Sequence, residues 1–131
     1  LDNGKSAAAV RHQHRRKTLK EYFSNDELRC RCCGKLKSDP DFRFKLNLAR
    51  DRAGIPFIIE SGYRCPKHNA EEGSTSTNHT TGKGVDIRCL AGPDRYKIVS
   101  ALLSVGFTGI GIHKTFIHAD TNHKTPALWL Y

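Results

Sequence analysis

The sequence predicts an α+β domain in which helices gather against a small, mostly antiparallel sheet. Three observations carry that expectation. Two segments show helical periodicity between cap and stop signals. Several short apolar runs are bounded by glycine or proline. Near the C-terminus, two of those runs are joined only by His113-Lys114-Thr115.

In chain order, residues 1–20 read as a flexible basic arm, with His12 and His14 in a solvated tail, and residues 21–131 as a single domain. Ser24 followed by Glu27 is a capping box that starts a short helix or turn, which runs into a cysteine cluster and stops at Gly34. Ser38-Asp39-Pro40 opens the first long helix. Phe42, Leu46, Ala49 and Ala53 make its buried stripe, Phe44 and Leu48 widen it, and Gly54 ends it. Ile55 to Glu60 reads as a strand, because Phe57-Ile58-Ile59 is too apolar for a surface. Pro66 starts a short helix that closes at Gly73, and Ser74 to Asn78 is a polar loop. Gly84 to Cys89 is a strand. A second long helix starts at Pro93-Asp94, with Tyr96, Val99, Leu102 and Leu103 inward, and stops at Gly106. Strands follow at Phe107 to Ile112 and Phe116 to Asp120, with an edge strand at Leu128 to Tyr131.

The 131 residues suffice for one modest core, and the 37% hydrophobic content suits a soluble globular protein. No apolar run approaches the ~20 residues of a membrane span, and no secretory leader is visible. The net charge of +9, from 22 Lys+Arg against 13 Asp+Glu, favours polyanionic partners. Nucleic acid and the anionic bacterial wall both qualify, although no motif that reads RNA or DNA is present. Five cysteines stand at 30, 32, 33, 65 and 89, an odd number that cannot all pair within one chain. Cys30 to Gly34 looks like half of a metal knuckle. Free thiols, a disulfide, or a second structural zinc that draws in Cys65 or His68 all remain open.

Two stretches carry the chemistry. Asn78-His79-Thr80-Thr81-Gly82-Lys83-Gly84-Val85-Asp86 places a histidine and a carboxylate seven residues apart, and Phe116-Ile117-His118-Ala119-Asp120 adds another of each. Two histidines, one carboxylate and a position open to water form the ligand set of a catalytic zinc site, so His79, Asp86 and His118 are read as holding one Zn²⁺. On a strand, Val85 and Ile87 face one way and Asp86 and Arg88 the other. By the same rule Phe116, His118 and Asp120 share a face. Gly82 and Gly84 let the chain turn back so that His79 can approach Asp86.

Three motifs in order resemble one family: Ser61-Gly62-Tyr63-Arg64, then His79-x-x-Gly82-x-Gly84-x-Asp86, then Gly109-Ile110-Gly111-Ile112 leading into Phe116-Ile117-His118-x-Asp120. The family is the zinc D-alanyl-D-alanine carboxypeptidases. It includes the vancomycin-resistance D,D-dipeptidases, the L-alanyl-D-glutamate phage endolysins and the hedgehog-like zinc fold. The resemblance spans roughly residues 23–123 and is nearest to small phage and prophage members, which also carry a cysteine-rich segment before the helix.

The resemblance implies a hedgehog/DD-peptidase-like fold and a carboxypeptidase or endopeptidase acting on peptidoglycan stem peptides at a bond involving a D-amino acid. It implies zinc on His79, Asp86 and His118 and a carbonyl-polarising role for Arg64, for which a structural ion pair is the plain alternative; Ser61 and Tyr63 either contact substrate alongside Arg64 or only shape the turn. It places His113, five residues before the last ligand, near the active site. It also implies action in the periplasm or cell wall, with a phage-released or virion-borne protein as one route there. Two departures stand out. Gly84 replaces a usual alanine, and Thr115 stands where several members carry an acidic general base. Asp120 is then the preferred base and His113 the next candidate, while Asp120 could instead orient His118. The competing reading is a non-catalytic, zinc-stabilised binding module of the same fold.

Overall fold

The structure, a computed structural model, describes residues 20–131. The expected basic arm, with His12 and His14, lies outside the described residues but for Lys20. The elements in order are α1 (Asn25–Leu28), α2 (Pro40–Ala53), β1 (Ile58–Ser61), α3 (Pro66–Glu71), β2 (Gly84–Arg88), α4 (Gly92–Ser104), β3 (Gly109–Ile112), β4 (Phe116–Asp120) and β5 (Ala127–Leu130). No helix among them is long and apolar enough to cross a membrane.

The local signals act as expected at the helix ends. Ser24 Oγ accepts from the Glu27 N–H at 3.2 Å while Glu27 Oε1 accepts from the Ser24 N–H at 2.9 Å, which completes the capping box. Asp39 caps α2 by accepting from the Phe42 N–H, and Gly54 ends that helix at φ 69°, where a side chain would be strained.

The five strands form one sheet in the order β1-β2-β4-β3-β5, antiparallel except for the parallel β3–β5 pair, so the α+β expectation holds. The first strand is shorter at its start than Ile55 to Glu60 and extends to Ser61. Val85, Ile87, Ile110, Ile117 and Ala119 on one face of the sheet join Leu46 and Ala49 of α2 and Ile98, Ala101 and Leu102 of α4 in one core. Each fully buried leucine or isoleucine contributes about 1.5–3 kcal/mol.

One face assignment is corrected. Tyr96 and Leu103 of α4 are 77% and 53% exposed. Leu102 is buried and Val99 packs against the core as expected, while Ile98 and Ala101 point inward in place of Tyr96 and Leu103. Tyr96 and Leu103 lie two helical turns apart and so share a stripe, but it is the opposite one.

The other face of the sheet is built differently. Strand alternation puts Asp86, His118 and Asp120 there, and Asp86 pairs directly across from His118. On β3 this face carries only Gly109 and Gly111, which oppose Asp120 and His118. A Cβ at Gly109 would run into the Asp120 carboxylate and the His123 ring. A Cβ at Gly111 would come within 2.6 Å of Trp129 Nε1. The two glycines leave the room that these side chains occupy.

Candidate metal centre and cleft

The register sets the first two donors. Asp86 and His118 are cross-strand neighbours, and Asp86 Oδ1 lies 3.1 Å from His118 Nδ1. His79 arrives from the turn before β2. Gly82, at φ 72°, makes that turn against the Lys37 carbonyl, so close that a Cβ would sit 2.5 Å from its oxygen. His79 Nε2 then lies 3.3 Å from the same Asp86 Oδ1. His79, Asp86 and His118 are 4%, 7% and 3% exposed, and one donor atom from each falls within 4.8 Å of the others.

The protons on the two rings can be assigned from their partners. His79 Nδ1 donates to the Gly62 carbonyl at 2.8 Å, since a carbonyl only accepts. His118 Nε2 donates to Asp120 Oδ2 at 2.7 Å. The Asn78 amide nitrogen lies 3.4 Å from the same Nε2, and the shorter contact, to a carboxylate, decides the tautomer. In the neutral rings, His79 Nε2 and His118 Nδ1 therefore turn bare lone pairs toward a carboxylate oxygen. Three acceptors facing one point need a cation between them or extra protons on the rings. This set fits zinc, with each ring's outer N–H held by a fixed acceptor.

Ionisation follows the same demand. Burial would raise the Asp86 carboxyl, but His118 and His79 outweigh it and hold it well below the usual carboxylate range. Burial would lower the His118 imidazole, yet Asp120 and Asp86 raise it. Burial would raise Asp120, but His118, His123 and the Asn122 N–H bring it down to about 2.

Asp120 does not face the cleft. It is 0% exposed, its Oδ2 takes the His118 bond, and its Oδ1 accepts from the N–H groups of Asn122 and His123 at 3.0 and 3.1 Å. The His123 ring nitrogen lies 2.8 Å from the same oxygen. With both oxygens so engaged, Asp120 is placed to orient His118, the second of the two roles the sequence leaves open for it.

A cleft of about 370 Å³ opens over the donors, walled by Arg64, Asn78, Phe116, Trp129 and Tyr131. An apolar hollow of the same volume at Ile55, Pro56, Leu90 and Ile98 shares no residue with it and holds no histidine, so chemistry and not size singles out the first. Arg64 stands in the wall with Nη2 3.1 Å from Asp86 Oδ2 and Nε donating to Ser61 Oγ at 3.0 Å. Ser61 thus supports Arg64 and does not line the cleft. Tyr63 lies beside the cysteines, where burial and neighbouring Cys65, Cys33 and Cys30 raise its phenol. His113 stands behind the wall, stacked on Phe116 at 4.4 Å and edge-on to Tyr131 at 5.5 Å. Among the described residues of the cleft wall, Asp86 is the only carboxylate.

No motif in the sequence marks Trp129 and Tyr131 as site residues. The Trp129 ring packs 5.5 Å from the His118 ring, and burial raises the Tyr131 phenol despite its contact with Trp129. The available signal was Gly109-x-Gly111, a strand face stripped of side chains that a neighbouring strand must fill.

No curated protein matches this chain. The family model described as Peptidase M15 matches residues 21–120, which takes in every donor of the centre and stops short of Trp129 and Tyr131. On that match, the chain belongs to peptidase family M15, the zinc-dependent metallopeptidases of the D-Ala-D-Ala carboxypeptidase and endolysin type.

Proposed function

We propose that the protein is a zinc peptidase that hydrolyses a bond involving a D-amino acid in peptidoglycan stem peptides, as a carboxypeptidase or an endopeptidase. The observation that carries the reading is the convergence of His79 Nε2, His118 Nδ1 and Asp86 Oδ1 at the cleft. When bound there, zinc supplies Lewis acidity, lowering the pKa of a coordinated water towards ~7 and polarising a carbonyl.

The chain's own residues do the rest. Asp120 and the Gly62 carbonyl fix the outer nitrogens of the two rings, so both imidazoles present the correct lone pair. Arg64 aligns Asp86 and keeps a guanidinium at the cleft wall, where it can stabilise an oxyanion. Proton transfer is proposed for His113, which is not itself a wall residue but packs against Phe116 and Tyr131 of the wall, with Nδ1 accepting from the Thr115 N–H; Asp120, with both oxygens engaged, is the alternative. Trp129 and Tyr131 give the substrate an aromatic face that lies beyond the matched residues. A net charge of +9 draws the protein to an anionic wall. The proposed place of action is the cell wall or periplasm, with a basic arm over residues 1–20 preceding one peptidase domain over residues 21–131.

Incubation with purified peptidoglycan, followed by mass spectrometry of the released ends, tests this reading. New ends at one bond next to a D-residue are expected. The lack of an uncommitted carboxylate in the cleft favours one second reading, a zinc-stabilised binding module. A zinc-loaded protein that binds wall peptides and releases nothing would establish it.

A further inference from the structure

A second donor cluster lies apart from the cleft wall. The Sγ atoms of Cys30, Cys33 and Cys65 fall within 4.8 Å of one another. His68 Nδ1 adds a nitrogen 3.5 Å from Cys30 Sγ. All of these thiols are free. From this arrangement we propose that Cys30, Cys33, Cys65 and His68 bind a second zinc ion, a closed structural site separate from the one at His79, Asp86 and His118.

The spacing fits the metal. A tetrahedron with Zn–S bonds of about 2.3 Å and a Zn–N bond of about 2.0–2.1 Å has an S···N edge of about 3.5 Å and S···S edges of about 3.8 Å. The observed nitrogen-to-sulfur distance of 3.5 Å matches the first edge, and the sulfurs need only a small inward shift to reach the second.

The backbone is arranged as metal knuckles need. Cys30 to Gly34 turns back on itself, with the Gly34 N–H donating to the Cys30 carbonyl at 2.9 Å and Gly34 at φ 74°. The Cys65 N–H donates to Cys30 Sγ at 3.3 Å, and the His68 N–H donates to Cys65 Sγ at 3.4 Å. Such N–H···S bonds favour the thiolate, the form that ligates. Donors come in two pairs with the same spacing, Cys30-x-x-Cys33 and Cys65-x-x-His68. Both Cys65 and His68, which the sequence offers as alternatives for completing the knuckle, belong to the set. Cys32 is exposed and falls outside the group of three.

The site would fasten two segments that the catalytic cleft depends on. The Tyr63 N–H donates to the Leu28 carbonyl at 2.8 Å, and a Cβ at Gly62 would sit 2.6 Å from that carbonyl oxygen, so the knuckle and the loop after β1 are already in close contact. That loop supplies the Gly62 carbonyl that holds His79, and it places Arg64 next to Cys65. An ion on both segments would hold this loop from behind.

The test is metal analysis of the whole protein, purified under reducing conditions, with cobalt then exchanged for zinc. The catalytic cluster contains no sulfur, so an intense sulfur-to-cobalt charge-transfer band reports this site alone. The expected result is a second zinc per chain and that band in the wild type. The band should persist in His79→Ala/His118→Ala and Cys32→Ser and be lost or strongly reduced in Cys33→Ser and His68→Ala. A wild type without the band, or with a disulfide among these cysteines in place of metal, would overturn the proposal whatever the variants do. So would a band lost in Cys32→Ser and kept in His68→Ala. Peptidase activity enters none of these readings, so failure here leaves the assignment of the cleft standing.

Discussion

The two donor clusters are held by different things. His79, Asp86 and His118 are buried at 4%, 7% and 3% exposure, two of them paired across β2 and β4, with Asp120 and Gly62 fixing their rings. The cysteine cluster sits on a turn and the loop after β1, with His68 on the short α3; Cys30 is buried, Cys65 half-buried and Cys33 exposed. A site scaffolded by a sheet keeps its shape when the ion leaves, as suits a centre that must keep one coordination position open. A site on loops has little packing of its own, so the free energy of metal binding there becomes folding free energy. Metal loss should therefore silence one cluster and loosen the other.

The largest effect on turnover is expected at the sheet cluster itself. His79→Ala should bring peptide release to background while the cobalt–thiolate band stays, and parallel activity and absorption measurements check both. Next comes His113→Ala, expected to cut the zinc-saturated rate by about 10²-fold or more without changing metal content, as loss of a proton-transfer group does. A rate within a few-fold of wild type would remove His113 from the reaction.

Asp120→Asn is expected to be milder once metal is supplied. It should weaken zinc affinity at the sheet cluster by ~10–100-fold, with the rate restored by excess zinc, which separates positioning from proton transfer. Affinity measured against a chelator and the zinc-saturated rate, both on this one variant, distinguish the two. Cys33→Ser should have the smallest effect on zinc-saturated turnover and the largest on melting temperature. If it instead abolishes turnover in a protein that melts like the wild type, the contrast between the clusters is wrong.

What could be read in advance follows the same division. The face each donor takes is local, although Asp86 and His118 meet only through the β2–β4 register. Strand alternation puts Asp86 and His118 on the polar face, and Gly82 turns His79 toward them. The role of Asp120 is not local. Alternation places it on the same face as His118, but whether its oxygens are free depends on Asn122 and His123 in the following loop and on the space left by Gly109. The aromatic wall depends on β5 pairing in parallel with β3, a long-range choice that the apolar run at Leu128 to Tyr131 does not announce. On α4 two apolar stripes compete, and the sheet selects Ile98, Ala101 and Leu102 over Tyr96 and Leu103.

The most direct test of the central claim, that His79, Asp86 and His118 hold the catalytic metal, is a zinc titration. Chelator-stripped protein is titrated with zinc while the appearance of new ends in purified peptidoglycan is followed, alongside the His79→Ala/His118→Ala double variant. The account predicts no release from the stripped wild type, release that rises with added zinc and saturates, and none from the variant at any zinc level. Release by the stripped wild type, or zinc-dependent release by the double variant, would contradict it.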